Sequence, residues 1–189
     1  MRVIAGRLGG RRLSAPRGYA TRPTTDRVRE ALFSALGALD GAAVLDVYAG
    51  TGALGIEAIS RGAARAVFVE NARPALASLK ENIDALDLGG CTRIVASPAA
   101  RGATLAAESG PFDLVFLDPP YAALAEVLRV VGALTRVGAI ALGGHVVVEH
   151  ATRDAPPELA GLTRLPSRTY GDTTITLYLR APPEPDEPA

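Results

Sequence analysis

The sequence contains a single cysteine and no long uninterrupted apolar run, and these two shortages exclude two classes of protein. Because one thiol, Cys91, cannot form an intrachain disulfide, a fold held together by disulfides is excluded, and we interpret Cys91 as structural. No stretch reaches membrane-spanning length without glycine or charge, and residues 1–10 contain no apolar run of signal-peptide length. We therefore expect a soluble cytoplasmic protein.

The charge of the chain is unevenly distributed. With 189 residues, 48% of them apolar, the chain can form one domain with a sizeable core, and its net charge is zero. Residues 1–36, however, contain eight arginines and two acidic residues, a net charge of +6, so the remainder carries −6. A basic segment on a mildly acidic body indicates a polyanionic partner, although arginines can also form no more than a solvated surface.

Short β-rich segments alternate with helical ones from residue 44 onward, which is typical of a parallel sheet with helices on both faces. The predicted strands are 44–48, 66–70, 93–96, 114–118 and 145–149, and the clearest helix between them is 73–86. Residues 162–168 and 173–179, around Tyr170-Gly171-Asp172, predict a closing antiparallel hairpin.

The region before the sheet is Gly- and Arg-rich. Residues 1–21 predict an extended arm or an irregular hairpin, followed by a helix capped by Thr24 or Thr25. Its apolar stripe runs from Val28 to Leu39 and leaves Arg27 and Arg29 largely outside it. We divide the chain into a basic arm plus helix (1–40), an α/β domain (41–180) and a disordered acidic, Pro-rich tail (181–189).

A glycine-rich loop follows the first predicted strand. Gly50, Gly52 and Gly55 match G-x-G-x-x-G between a strand and a helix, which lets backbone N–H groups approach a ligand. Glu70 follows at the end of the second strand, where a carboxylate can accept hydrogen bonds from two ribose hydroxyls. Both features suit a nicotinamide dinucleotide as well as S-adenosylmethionine.

Asp46, at the end of the first strand, favours S-adenosylmethionine. Its carboxylate would repel the pyrophosphate of a dinucleotide, whereas it would attract the ammonium group of S-adenosylmethionine. The alternative is that the glycines form only a turn and that Asp46 caps the following helix.

A second candidate site, Asp118-Pro119-Pro120-Tyr121, follows the fourth predicted strand. Two successive prolines remove two N–H donors, so the segment presents mainly acceptors, which suit a substrate amine with two hydrogens. Hydrogen bonds to Asp118 and the Pro119 carbonyl would direct the nitrogen lone pair toward a methyl donor and stabilise the charge that develops on nitrogen. Tyr121 would stack on the base. The alternative is a loop turn with an aromatic packing residue.

Other polar residues suggest no competing chemistry. His145 and His150 lie five residues apart on one predicted strand and face opposite sides, so we do not expect a joint metal site. A hydrolase using Asp118 and Glu149 as paired carboxylates is conceivable, but no motif supports it.

These features together resemble the bacterial 16S ribosomal RNA guanine-N2 methyltransferase family of the RsmD type. The resemblance covers residues 2–180 and rests on the segments RVIAGRLGGRRL, RPTTDRVREALFSAL, LDVYAGTGALGIEAISRGA, FVEN, FLDPPY and YGDTTITLYL. It implies a Rossmann-like class I methyltransferase fold: a seven-stranded, mostly parallel sheet with a C-terminal antiparallel hairpin and a basic N-terminal extension. It also implies methyl transfer to N2 of one guanine in 16S ribosomal RNA, within a small ribosomal subunit or its assembly intermediate, without a metal.

The motifs and the resemblance together select three groups of site residues. The cofactor-binding group is Asp46, Tyr48, Ala49, Gly50, Thr51, Gly52, Glu70, Asn71 and Ser97. The catalytic group is Asp118, Pro119, Pro120 and Tyr121. The RNA-binding group is Arg7, Arg11, Arg12, Arg22, Thr24 and Arg27.

One position departs from the family pattern. After the third strand the family commonly has an acidic residue that accepts a hydrogen bond from the adenine amine of the cofactor. This chain has Pro98 at about that position, so we expect Ser97 or a backbone group to substitute for the acid.

Several rival functions are less compatible with the sequence. An adenine-N6 methyltransferase acting on DNA also uses DPPY but usually needs additional recognition sequence. A protein glutamine methyltransferase typically has NPPY and a helical N-terminal domain. A non-enzymatic RNA-binding factor would explain the arginines but not Asp118 beside a cofactor loop, and a dehydrogenase is disfavoured by Asp46.

Overall fold

The computed structural model describes residues 1–16, 26–120 and 124–182. The helices are α1 Asp26–Leu36, α2 Ala53–Ser60, α3 Arg73–Ala85, α4 Ala99–Ala106 and α5 Leu124–Arg136. The strands are β1 Ala43–Val47, β2 Arg65–Glu70, β3 Thr92–Ala96, β4 Phe112–Leu117, β5 Ile140–Ala151, β6 Thr163–Arg164, β7 Arg168–Tyr170 and β8 Thr173–Leu179. Among these residues, no helix is long and apolar enough to cross a membrane.

The strands form one mixed sheet in the order β3-β2-β1-β4-β5-β8-β6, with β7 also paired to β8. The first five strands are parallel, and β8 is antiparallel to β5. Both β6 and β7 pair antiparallel with β8, and β5 already occupies its other edge, so the eight strands fill seven positions. The α/β class, the mostly parallel sheet and the closing hairpin are confirmed.

The predicted strands match those observed, with shifts of one or two residues at most ends. One exception is the predicted segment 162–168, which forms a strand only at Thr163–Arg164, while Arg168 begins the separate strand β7. The other exception is β5, which begins at Ile140 and not at residue 145. Its first residues include Gly143 and Gly144 and lack the alternation of a regular strand, which explains why the pattern did not reveal them.

Helices and the N-terminal segment cover the two faces of the sheet. On one face, α1, α2, α3 and the apolar residues Val3, Leu8 and Leu13 share a core with the sheet. On the other face, α4 and α5 share a second core with alternate residues of the same strands. The parallel strands are therefore buried on both sides, as expected from their nearly continuous apolar sequences.

The N-terminal segment is an irregular hairpin, one of the two predicted possibilities. A bridge joins Arg2 to Arg12, and the backbone N–H groups of Ile4 and Ala5 donate to the buried carboxylate of Glu57 on α2, at 2.7 and 3.0 Å. Further along, Ser14 N–H donates to the Asn82 side chain on α3. The hairpin thus lies along α2 and α3.

Helix α1 differs from its predicted form in two respects. It ends at Leu36, and Leu39 is buried in the turn that follows. Arg27 is exposed as expected, but Arg29 is only 1% exposed, so the expectation that it lies outside the packed face was wrong. Its guanidinium donates to Asp26 Oδ1 at 2.8 Å and to the carbonyl oxygen of Arg2 at 2.6 Å, which compensates for part of the burial.

Candidate active site

Four carboxylates lie at the carboxyl ends of neighbouring parallel strands, and we call them the acidic edge. The members are Asp46 near the end of β1, Glu70 at the end of β2, Asp118 immediately after β4, and Glu149 within β5. Each lies two residues beyond a buried residue of the core shared with α1, α2 and α3: Val44, Phe68, Phe116 and Val147. Because side chains alternate between sheet faces, all four carboxylates belong to the same face. Ligands of open α/β sheets bind at this edge.

The local structure of the glycine loop explains its three glycines. Gly52, which precedes α2, has φ of 83°, and Gly50 has φ of 56°, both in the left-handed region that glycine adopts without strain. Gly55 lies within α2 against the buried ring of Phe68, where a Cβ atom would overlap the ring. The first two glycines therefore shape the turn, and the third lets the helix pack closely on β2.

Asp46 is hydrogen-bonded to the first turn of the helix that follows this loop. Its Oδ2 accepts a hydrogen bond from Gly55 N–H at 2.9 Å, so the carboxylate does cap α2, the alternative considered for it. The capping bond occupies one of about four acceptor positions of a carboxylate, which leaves capacity for a ligand. Burial raises the pKa of Asp46 to about 7, and the nearby charge of Glu70 contributes in the same direction. A cationic ligand would relieve both effects.

Glu70 joins the glycine loop to the end of β2. Its Oε2 accepts from Gly50 N–H at 2.8 Å, and its Oε1 accepts from the N–H groups of Asn71 and Ala72 at 2.7 and 2.8 Å. The carboxylate expected to meet ribose hydroxyls thus also orders the loop around it. Its remaining acceptor capacity is on Oε2, the oxygen that faces Gly50.

A cavity of about 280 Å³ opens beside the acidic edge. This volume is close to the lower end of the roughly 300–1,000 Å³ typical of small-molecule sites. Its walls come from the ends of β1, β2, β3 and β4 and from the first turn of α5: Tyr48, Val69, Glu70, Asn71, Ser97, Pro98, Ala99, Pro120 and Glu126. Four of the predicted cofactor residues line one cavity: Tyr48, Glu70, Asn71 and Ser97. Pro120, which belongs to the predicted catalytic group, also lines it.

The remaining predicted cofactor residues belong to the loop backbone. Ala49 N–H donates to the Val69 carbonyl at 3.1 Å and ties the loop to β2. The Thr51 carbonyl accepts from the side chain of Asn82, a buried residue that also binds Ser14 of the N-terminal hairpin. The hairpin and the glycine loop therefore share one anchoring side chain.

Glu126 is the site residue that sequence reasoning missed. The Tyr48 hydroxyl donates to Glu126 Oε2 at 3.0 Å, and both residues line the cavity. Tyr48 itself has φ of 66°, unusual for a residue with a Cβ atom and typical of functional loops. Burial and the Glu126 carboxylate raise the pKa of the Tyr48 hydroxyl, which keeps it a donor at neutral pH. No local pattern predicts this contact across 78 residues.

The segment predicted to be catalytic starts where β4 ends. The next pair after the registered neighbours Leu117 and Val148 is Asp118 and Glu149, so these two carboxylates are adjacent on the same face. Loss of hydration raises the pKa of Asp118 well above its ordinary value, and the charges of Glu149 and Asp46 raise it further. Pro119 is buried and Pro120 exposed, while Tyr121 lies outside the described residues.

The predicted RNA-binding residues that the structure describes lie on the surface. Arg7, Arg11, Arg12 and Arg27 are exposed, and Arg22 and Thr24 lie outside the described residues. Arg7 N–H donates to the Ser60 carbonyl at the end of α2, and Arg11 donates to the Ala85 carbonyl at the end of α3. Both are thus at the opposite end of these helices from the glycine loop.

The two histidines do not meet. His145 pairs with Leu179 near the start of the β5–β8 ladder, whereas His150 is buried and hydrogen-bonded through its ring to Thr176 and the Ala151 carbonyl. Within the described part of the chain, no group of three or more His, Cys, Asp or Glu side chains is arranged to hold a metal ion.

The sequence of the chain is similar to those of known proteins. The model of a family described as "Conserved hypothetical protein 95" matches residues 1–179. The chain is 38% identical over 185 residues to "Putative rRNA methyltransferase YlbH" of Bacillus subtilis, which covers 94% of this chain and 98% of that protein. It is 43% identical over 122 residues to "Ribosomal RNA small subunit methyltransferase D" of Escherichia coli, covering 64% of this chain and 60% of that protein.

A solved structure has a similar fold over nearly the whole length of this chain. The structure described as "Putative methyltransferase yhhF from Escherichia coli" is 32% identical, with a TM-score of 0.83. The alignment covers 96% of this chain and 98% of that one, so it includes the N-terminal hairpin as well as the sheet.

Proposed function

Because the chain belongs to the Conserved hypothetical protein 95 family, we propose that it transfers a methyl group from S-adenosylmethionine to the exocyclic N2 amine of a guanine in 16S ribosomal RNA. The names of the Bacillus subtilis and Escherichia coli relatives support ribosomal RNA methylation, and the second specifies the small subunit. Guanine N2 is not specified by these names; the resemblance to the RsmD-type family implies it, and the arrangement of the site supports it.

The residues around the glycine loop fit S-adenosylmethionine. This cofactor supplies a methyl group already activated on a positively charged sulfur, and it carries an ammonium group as well. Asp46, with a pKa raised to about 7 by burial and by the charge of Glu70, would gain from a cation nearby. We assign the ammonium group of the cofactor to Asp46 and its ribose hydroxyls to Glu70. Gly50, Gly52 and Ser97 form other parts of the proposed cofactor site. A pyrophosphate would instead meet the whole acidic edge and be repelled.

The observation that carries the proposal is the position of Asp118. It lies at the end of β4, one strand from Asp46, and Pro120 two residues later borders the cavity. The two prolines provide no N–H donors, so an amine with two hydrogens finds acceptors at Asp118 and at the Pro119 carbonyl. These acceptors orient the amine and stabilise the positive charge that develops on its nitrogen.

The neighbouring carboxylate favours guanine over adenine. Guanine presents two kinds of donor side by side, N1–H and the N2 amine, whereas adenine presents the acceptor N1 beside its N6 amine. The pair formed by Asp118 and Glu149 can accept from both guanine groups, but Glu149 would repel the adenine N1 lone pair. The charge of Glu149 acts on Asp118, which supports their proximity.

The remaining assignments are also proposals. Residues 1–40 contact RNA phosphates through Arg7, Arg11, Arg12 and Arg27, and residues 41–180 carry out methyl transfer. The partner is the small ribosomal subunit or its assembly intermediate, and the protein acts in the cytoplasm, where these particles are built. The net charge of +6 over residues 1–36 supports the RNA contact.

Methylation in vitro followed by nucleoside analysis tests the proposal. The purified protein and isotopically labelled S-adenosylmethionine are incubated with small subunits, or with free 16S RNA, from a strain lacking the enzyme. We expect labelled N2-methylguanosine, and none with an Asp118→Ala variant whose melting temperature is unchanged. A product of N6-methyladenosine would contradict the guanine assignment. RNA binding without any methylation would favour the non-enzymatic rival.

A further inference from the structure

The cavity wall contains one carboxylate without an assigned role, Glu126, and the same wall includes Pro98. The resemblance to the RsmD-type family implies an acid after the third strand, and this chain has Pro98 there, immediately before α4. Pro98 offers no side-chain acceptor and no N–H donor. A ligand amine that enters between β3 and β4 therefore needs an acceptor from another element of the wall.

Five side chains of the cavity wall carry acceptor oxygens: Tyr48, Glu70, Asn71, Ser97 and Glu126. The Tyr48 hydroxyl is a neutral acceptor, weaker than a carboxylate, and its proton is donated to Glu126. Glu70 already receives three backbone N–H groups. Asn71 is exposed, and a hydroxyl such as that of Ser97 is a weaker acceptor than a carboxylate. Glu126 combines a charged acceptor with partial burial at the cavity wall.

Glu126 is also held in place. The Tyr48 hydroxyl donates to its Oε2 at 3.0 Å, which limits the rotamers available to the side chain. This bond uses one of about four acceptor positions of the carboxylate, so the group can accept further donors. Tyr48 has a left-handed backbone conformation, and Tyr48, Glu126 and Pro98 line the same cavity.

We propose that Glu126 of α5, oriented by Tyr48, accepts the hydrogen bond of the 6-amino group of the cofactor adenine in place of the acid that Pro98 replaces. The inference rests on the proposed function, because it takes S-adenosylmethionine as the ligand. It assigns adenine recognition to a helix that follows β4, the strand whose end also carries Asp118. The residue that binds the cofactor adenine and the residue that binds the substrate amine thus belong to one stretch of chain, whereas the other cofactor residues lie in or after β1, β2 and β3.

A comparison of two ligands isolates this contact. S-adenosylhomocysteine has the 6-amino group, and its purine analogue has hydrogen at that position. Calorimetric titration of both ligands gives a preference for the amine that requires no turnover. A hydrogen bond to a charged acceptor predicts that the unaltered protein prefers S-adenosylhomocysteine roughly tenfold or more. Glu126→Ala should reduce this preference to about twofold or less, and Glu126→Gln should give an intermediate value.

Control variants separate recognition from general effects. Glu81→Ala, which removes an exposed carboxylate of α3, should leave the preference unchanged. Tyr48→Phe should retain part of it, because the carboxylate stays but loses its orienting donor. A preference that survives in Glu126→Ala, or that disappears in Asn71→Ala instead, would overturn the assignment. Failure of the unaltered protein to bind either ligand would overturn the proposed function and this inference with it.

Discussion

Replacement of Asp118 is the most direct perturbation of the proposed chemistry. If its carboxylate accepts from the target amine, its effect is largest in the transition state, where positive charge builds on nitrogen. Loss of one preorganised electrostatic contact of this kind lowers a rate by about 100-fold or more, equivalent to about 2.7 kcal/mol. We therefore expect Asp118→Ala to methylate at about one hundredth of the normal rate or less.

Asp118→Asn distinguishes charge from shape. The amide keeps one acceptor oxygen but loses the negative charge, so this variant should react faster than Asp118→Ala and more slowly than the unaltered protein. Both variants should still bind S-adenosylhomocysteine, because that pocket is built by Asp46, the glycine loop and Glu70. Asp84→Asn, which alters an exposed carboxyl group of α3, provides the matched control.

The pH dependence of the rate provides an independent check. Burial, Glu149 and Asp46 raise the pKa of Asp118, and only its ionised form carries the negative charge that stabilises the positive charge developing on the amine nitrogen. The rate should therefore fall as the pH is lowered through this raised pKa, and Asp118→Asn should lack that step. Single-turnover methylation of small-subunit RNA measures both quantities, with thermal melting as the folding control. A folded Asp118→Ala protein with a near-normal single-turnover rate would refute the assignment.

Three further predictions follow from the geometry. Asp46, with a pKa of about 7, should release a proton when the cofactor ammonium binds, so calorimetry at pH 7 in two buffers should detect release, and less of it for Asp46→Asn. Gly55→Ala overlaps a buried phenylalanine ring and should destabilise the fold by about 1–3 kcal/mol in thermal melts, whereas Gly89→Ala, with open space around it, should not; equal melting temperatures would contradict the packing argument. Replacing Arg7 and Arg12 with alanine should reduce the salt dependence of RNA binding by roughly one unit of slope per lost phosphate contact, without changing cofactor affinity; an unchanged slope would assign the hairpin another role.

Local patterns in the sequence were sufficient to predict the sheet and much of the site. Apolar runs of strand length, each followed by a helical segment, predict parallel strands, and parallel strands bring their carboxyl ends to one edge. Asp46, Glu70 and Asp118 were therefore recognisable as neighbours from their positions at strand ends. The three glycines were recognisable for the same reason, because the need for left-handed backbone or close helix packing is a local property.

The tertiary structure alone decided contacts between distant segments. The burial of Arg29 depends on the backbone of Arg2 passing over α1, and no helical periodicity reveals that. The pairing of Tyr48 with Glu126 depends on how α5 packs against the sheet. Segments far apart in sequence meet only when the whole core forms. Side-chain patterns indicate which face of a helix or strand is buried but not which segment lies against it, so they do not predict these contacts.

The acid–base properties of the site also belong to the folded state. An aspartate at a strand end has an ordinary pKa until burial and neighbouring carboxylates raise it, as they do for Asp46 and Asp118. The sequence determined which groups carry the charge and at which edge of the sheet they stand. Their separation from water and from each other, which sets their affinity for a cation or an amine, arose only from the packing of helices and hairpin around them.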